Sequence, residues 1–171
     1  MEASDGGLDG ASAAVQDTLR AAGDSSTTVN TAPNSGGFTT WGQTEWSASG
    51  AVTFYRALAA GCLLSAPDTR YVLGLMQGVE SDQRWGAGSA GYATSVPVAF
   101  KGGWGPEDGG GYLVRQSAIV ATPSGRGWVL TYLAKPSDGS FGTGTQMLSS
   151  LAAWAARTFP PDAAHASSGG C

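Results

Sequence analysis

Charge is scarce in this sequence. Only 13% of its 171 residues are Asp, Glu, Lys or Arg, about half the usual fraction. Lysine occurs only as Lys101 and Lys135, and no stretch is rich in Lys or Arg. That speaks against nucleic acid as a partner, because phosphate binding needs clustered cations. Histidine occurs once, as His165 near the C-terminus. A Ser–His–Asp triad needs an ordered imidazole, which a terminal tail rarely supplies. The two cysteines, Cys62 and Cys171, form neither a disulfide framework nor a metal-ligand spacing. Cys62 lies in an apolar run and reads as a small buried hydrophobe. Carboxylates are scattered. The adjacent pair Glu107 and Asp108 falls in a glycine-rich loop and reads as solvated, with no further ligands for a metal. No metal site and no cofactor are expected. No window approaches the ~20 apolar residues of a membrane span. The first ten residues lack the basic start and apolar run of a signal peptide.

What is present is a globular composition. Hydrophobic residues make up 42%, enough for one domain with a sizeable core. Glycine is abundant, at 27 residues, so tight turns are expected. Residues 11–22 read as a helix with Val15, Leu19 and Ala22 on one face and Gly23 as its stop. Residues 24–44 read as a long loop. A second helix is expected over 47–64, with Val52, Tyr55, Leu58, Ala59 and Cys62 in register. Ser65 and Asp68 have the spacing of a capping box and open a third helix. Its buried face is expected to carry Tyr71, Val72, Leu75, Met76 and Val79.

The period then changes. Val96, Val98 and Phe100 alternate with Pro97, Ala99 and Lys101, which predicts a strand ending near Lys101. Strands over 112–121 and 128–134, joined by a short turn, are expected to be antiparallel. A last helix is expected over 145–159, with Met147, Leu148, Leu151, Trp154 and Ala155 towards the core, and Pro160 and Pro161 ending it. The fold class is α+β: a three-stranded antiparallel sheet flanked by helices over 1–159, with 160–171 as a flexible tail.

The run Lys101-Gly102-Gly103-Trp104-Gly105 is the one stretch with the makings of a site. A phosphate loop places its lysine after the glycines and before a helix. Here the lysine comes first, on a strand. It can set a cation at a pocket rim while bare backbone admits a ligand. The plainer reading is an exposed strand-end lysine before a flexible hairpin.

The order of elements, with Phe38 to Leu64, Tyr71 to Val79, Ser81-Asp82-Gln83-Arg84-Trp85-Gly86 and Phe100 to Pro106, resembles the C-terminal part of the penicillin-recognising serine hydrolases. That family includes the class A β-lactamases, to which the likeness is greatest, and the D-alanyl-D-alanine peptidases. The resemblance spans about residues 10–159. It implies that Lys101 and Gly103 stand at the first and last positions of the family's Lys-Thr-Gly motif. Lys101, with Gly102 and Gly103, would then bind the carboxylate of a β-lactam or peptide ligand. Gly102 departs from the motif and removes a hydroxyl. The nucleophile motif Ser-x-x-Lys is not in the sequence, because Val98 and Tyr132 stand three places before the two lysines. Ser4-Asp5-Gly6 lacks the Asn of the second motif. No carboxylate lies between Asp24 and Glu45, where the class A deacylation glutamate would be. No catalytic residue is therefore assigned. The expectation is an incomplete hydrolase domain, inactive alone, that needs a complementing N-terminal segment or associates with itself. The alternative is a binding or interaction module that keeps the fold without the chemistry. The resemblance implies an extracytoplasmic setting.

Overall fold

The computed structural model describes residues 7–31, 40–107, 111–122 and 124–161. Its elements in chain order are α1 (Gly7–Ala21), α2 (Ala48–Ala59), α3 (Ala66–Gln77), β1 (Val98–Pro106), β2 (Tyr112–Ala121), β3 (Gly127–Ala134) and α4 (Phe141–Thr158). Short 3-10 turns stand at Thr40–Gln43, Ser81–Gln83 and Gly86–Ser89. The sheet runs in the order β1-β2-β3, each neighbouring pair antiparallel.

The two-residue period of the strands divides two cores. Phe100, Val114, Ala118, Val120, Tyr132 and Ala134 point to one face, where Leu148, Ala152 and Ala155 of α4 close over them. Ala99 and Ile119 point to the other, against Tyr55 and Leu58 of α2 and Met76 of α3. The sheet is thus a middle layer between α4 and the α2–α3 pair.

Local signals set the helix ends. Ser47 caps α2, its hydroxyl accepting from Gly50 N at 3.0 Å. The helix stops at Ala59, short of the expected 64. Gly61 takes a left-handed φ of +76°, and Cys62 N donates back to Ala57 O at 2.9 Å. That is the Schellman closure, and it needs a residue free of a Cβ penalty at that step. Ser65 caps α3 as its spacing predicts. Ser140 caps α4, accepting from Thr143 N at 3.1 Å, so the helix begins at Phe141 rather than near 145.

Several expected burials are corrected. Tyr71 and Leu75 are 68% and 60% exposed. The face of α3 that meets the sheet side is formed by Thr69, Val72, Leu73 and Met76, leaving Tyr71 and Leu75 on the opposite side. Met147, Leu151 and Trp154 are 46%, 40% and 49% exposed, while Gly144, Leu148, Ala152 and Ala155 take the core face of α4. Each of these helices carries more apolar surface than the described residues cover. Cys62 is half-buried and held in a disulfide, not a free core thiol. Ser4, Asp5, Asp108, His165 and Cys171 lie outside the described residues.

Candidate functional site

Lys101 is the fourth residue of β1, not its end, because the strand continues through the glycines to Pro106. Ala99 belongs to the core beneath α2 and α3, so alternation puts Lys101 and Gly103 on that face as well. Across the sheet, Lys101 pairs with Ser117 of β2, and Ser117 pairs with Thr131 of β3. The hydroxyls of Ser117 and Thr131 lie 3.0 Å apart and share a hydrogen bond. The exposed Lys101 amine donates to the carbonyl of Gly102. Lys135, by contrast, is paired with Glu107 at 2.9 Å. Glu107 is therefore not merely solvated, as its loop position suggests. Lys101 meets no carboxylate among the described residues.

A second cation shares this face. Arg115 pairs with Gly103, which makes it the diagonal neighbour of Lys101, about 7–8 Å away in an antiparallel sheet. Its stem passes over Gly103, where a Cβ would stand 3.5 Å from Arg115 Cγ. Arg115 Nη1 donates to the carbonyl of Trp46 at 3.0 Å, and the guanidinium lies 5.2 Å from the centroid of the Trp46 ring. Nη2 is buried and bonds to nothing among the described residues. Burial pulls the Arg115 pKa down, and its attraction to Tyr55 opposes this in part.

Gly102 belongs to the other face. There Trp85 packs on it so closely that a Cβ would stand 2.8 Å from Cη2 and Cζ2 of the ring. Gln116, wholly buried, holds that segment: Ala87 N donates to its Oε1 at 2.7 Å, and its Nε2 donates to Trp85 O at 2.9 Å. Gly86, at a φ of +62°, makes the turn that allows it. Trp85, Trp104 and Phe141 then form an aromatic group, with Trp104 and Phe141 5.1 Å apart. The absent side chain at Gly103 thus lets the Arg115 stem lie across the Lys101 face, while Gly102 is covered by Trp85 on the other.

The sequence pattern brings Lys101 and Gly103 together with Arg115, Ser117 and Thr131, and leaves Gly102 facing away. Arg115 escaped the sequence reading. The signal was there, since strands over 112–121 and the Lys101 strand joined as a hairpin place odd-numbered partners on one face. Lys101 is not among the residues lining two concavities of the described residues. One, of about 470 Å³, lies between Tyr92, Val96, Thr122 and Arg157, and the other lies between Ser26, Asn30, Gln43 and Glu45. Among the described residues there is no group of three or more His, Cys, Asp or Glu side chains able to hold a metal. No helix among them is long and apolar enough to cross a membrane.

Comparison with known proteins places the chain in a family. A model described as the beta-lactamase enzyme family matches residues 9–159. Among solved structures, a beta-lactamase from Sphaerobacter thermophilus is similar at a TM-score of 0.64 and 16% identity, over 91% of this chain and 55% of that one. The chromosome-encoded beta-lactamase of Vibrio parahaemolyticus is similar at 0.63 and 16%, over 86% and 54%. A mutant class A beta-lactamase of the last common ancestor of Gram-negative bacteria is similar at 0.62 and 18%, over 88% and 55%. This chain thus spans a little over half the length of these structures. No curated protein matches it.

Proposed function

Because the chain belongs to the beta-lactamase enzyme family, we propose that it carries the anion-recognition wall of a serine acyl-transfer site. The reaction would break the amide C–N bond of a β-lactam or peptide-like substrate and form an ester on a serine. The observation that supports this most is that Lys101 and Arg115 share one sheet face and neither forms an ion pair with a carboxylate among the described residues. Two cations on adjacent strands, with no carboxylate between them among the described residues, can seat one anionic group of a substrate beside the reacting amide. The Ser117–Thr131 hydroxyl pair adds neutral donors to the same row. With Gly102 facing Trp85, recognition would rest on charge rather than on a hydroxyl at position 102.

The Ser-x-x-Lys motif is not in these 171 residues, since neither lysine has a serine three places before it. The chain alone should therefore bind such a ligand reversibly without being acylated. The test is incubation with a fluorescent penicillin, read by intact mass and by polarisation. The expected result is no covalent adduct, and weak binding that Lys101→Ala and Arg115→Ala each reduce. A stoichiometric serine-linked adduct would overturn the reading of the chemistry, and binding indifferent to both substitutions would overturn the reading of the site. A second reading, an interaction module that keeps the fold, is favoured by the exposed apolar stripe Met147, Leu151 and Trp154. Loss of self-association or of fragment binding on Leu151→Glu would support it.

A further inference from the structure

Arg115 is held from behind by a chain of contacts that crosses three separate segments. The carbonyl of Trp46 accepts from Arg115 Nη1 at 3.0 Å, and the indole ring lies under the guanidinium at 5.2 Å. The indole Nε1 donates in turn to Asp24 Oδ2 at 3.1 Å. Asp24 is buried. Its carboxylate accepts from Ser26 N, Ser26 Oγ and Thr27 N at 3.1, 3.0 and 3.1 Å, and from Thr27 Oγ1 at 2.5 Å. Gly50 of α2 leaves room for it, since a Cβ there would stand 2.5 Å from Asp24 Oδ2. Phe54 meets the Trp46 ring edge-on at 5.6 Å, and Tyr55 stacks on it at 6.1 Å. The ring has little freedom to turn.

This arrangement holds a half-buried cation with one buried terminal nitrogen uncommitted. An orphaned donor is unfavourable when buried, and a free arginine side chain would swing out to solvent. The Trp46 carbonyl and ring offset that tendency. A half-buried guanidinium fixed in place with a buried donor to spare is preorganised for an anion, because it need not reorient when the charge arrives.

We propose that Trp46 and Asp24 are positioning residues for the anion seat of Lys101 and Arg115, with Asp24 acting through the indole of Trp46 on the guanidinium. This rests on the reading of that pair as an anion site. It also gives the 24–46 segment a role without the catalytic carboxylate it lacks. That segment would set the affinity of the neighbouring sheet face. Asp24 remains ionised at ordinary pH, its pKa lowered to about 2, so the anchor does not switch off near neutrality.

The experiment is a titration of the full 171-residue chain with inorganic sulfate at constant ionic strength, followed through the backbone ¹⁵N–¹H resonances of Gly102, Gly103 and Ser117, which every variant keeps. Wild type should show a saturable shift, and Arg115→Ala or Lys101→Ala should bind at least several-fold more weakly. Trp46→Phe keeps a ring but loses the indole N–H. It should weaken sulfate roughly three- to tenfold, the size of one hydrogen bond's influence. Asp24→Asn should do the same and serves as the second variant if Trp46→Phe does not fold. Phe54→Leu disturbs the same aromatic group without touching Arg115 or Asp24. It should lower the melting temperature while leaving sulfate affinity unchanged, an outcome a merely structural role for Trp46 would not produce. If Trp46→Phe and Asp24→Asn bind as wild type while Arg115→Ala is weakened, the anion seat stands and the positioning role is wrong. If sulfate does not bind at all, or binds equally to the Lys101 and Arg115 variants, the seat itself is wrong and the inference falls with it.

Discussion

Trp85 covers Gly102, and the fit leaves no space for a side chain: a Cβ at position 102 would stand 2.8 Å from the ring. The ring cannot simply retreat, because Gln116 grips the backbone of Trp85 and Ala87 from below. Gly102→Thr, which restores the hydroxyl of the Lys-Thr-Gly pattern, should therefore destabilise the chain by about 1–3 kcal/mol through overpacking. In a Trp85→Ala background the same change should cost much less. Chemical denaturation of the four proteins gives the coupling between the two sites. Simple additivity would mean the ring does not rest on residue 102.

Asp24 makes stability sensitive to acid. Burial works to raise its pKa, but hydrogen bonds from Thr27 and Ser26 outweigh this and lower it from 3.8 to about 2. A depressed folded-state pKa contributes stability that is fully present above the unfolded value and is lost as pH falls through the folded one. The wild-type melting temperature should thus drop between about pH 4 and pH 2. Asp24→Asn should be less stable at pH 7 and should show a shallower slope across that window. Parallel slopes for the two proteins would remove Asp24 as the source.

Much of this could be read in the sequence, and the reasons differ by element. The hairpin of β2 and β3 was legible because alternation and a short turn rich in Pro, Ser and Gly fix register locally. Ser65 announced its helix start through chemistry that acts within one turn, whereas the stop at Gly61 was masked by the apolar period, which runs on to Cys62. The length of β1 was not legible, since glycines look like a loop. They hold strand conformation here because Arg115 crosses one face and Trp85 the other. The exposure of Tyr71 and Leu75 was illegible for a different reason. Helical periodicity shows that a residue is apolar and on a stripe, but not which element covers the stripe. Arg115 was missed because a lone cation in a strand pattern acquires meaning only through its cross-strand neighbours.

The outer face of α3 offers a direct check on whether an apolar stripe is covered. Leu75 is 60% exposed and Tyr71 is 68% exposed. Leu75→Lys should then change the stability of the chain by no more than about 0.5 kcal/mol, as surface substitutions generally do. A loss of about 2–5 kcal/mol in urea denaturation, typical of emptied core sites, would show that something covers this face in solution. Repeating the measurement across protein concentrations separates burial by a second copy from burial within the chain.

The far edge of the sheet bears on assembly most directly. β3 has a pairing partner on one side only among the described strands, so its other side presents unpaired N–H and C=O groups. Beside it, Met147, Leu151 and Trp154 of α4 recur at helical spacing on one flank, each at least two-fifths exposed. Their flank is the one turned towards β3. Ser149, on the opposite flank, accepts from Gly86 N at 2.9 Å on the β1 side, whereas Trp154 connects through Phe159 to Trp128 of β3, each step 5.6 Å between ring centroids. An open strand edge and an apolar helix stripe therefore form one continuous surface. Each large side chain left wet forgoes roughly 1.5–3 kcal/mol of burial, and three such losses rival the whole stability of a marginal domain, about 5–15 kcal/mol. The purified chain should self-associate or melt broadly, and a fragment spanning the other half of a solved relative should sharpen the melt. Leu151→Glu should abolish association while leaving the chain's own secondary structure intact by circular dichroism. Light scattering and calorimetry with and without the fragment decide it: a monodisperse monomer with a sharp melt, indifferent to both the fragment and Leu151→Glu, would show that this surface needs no partner.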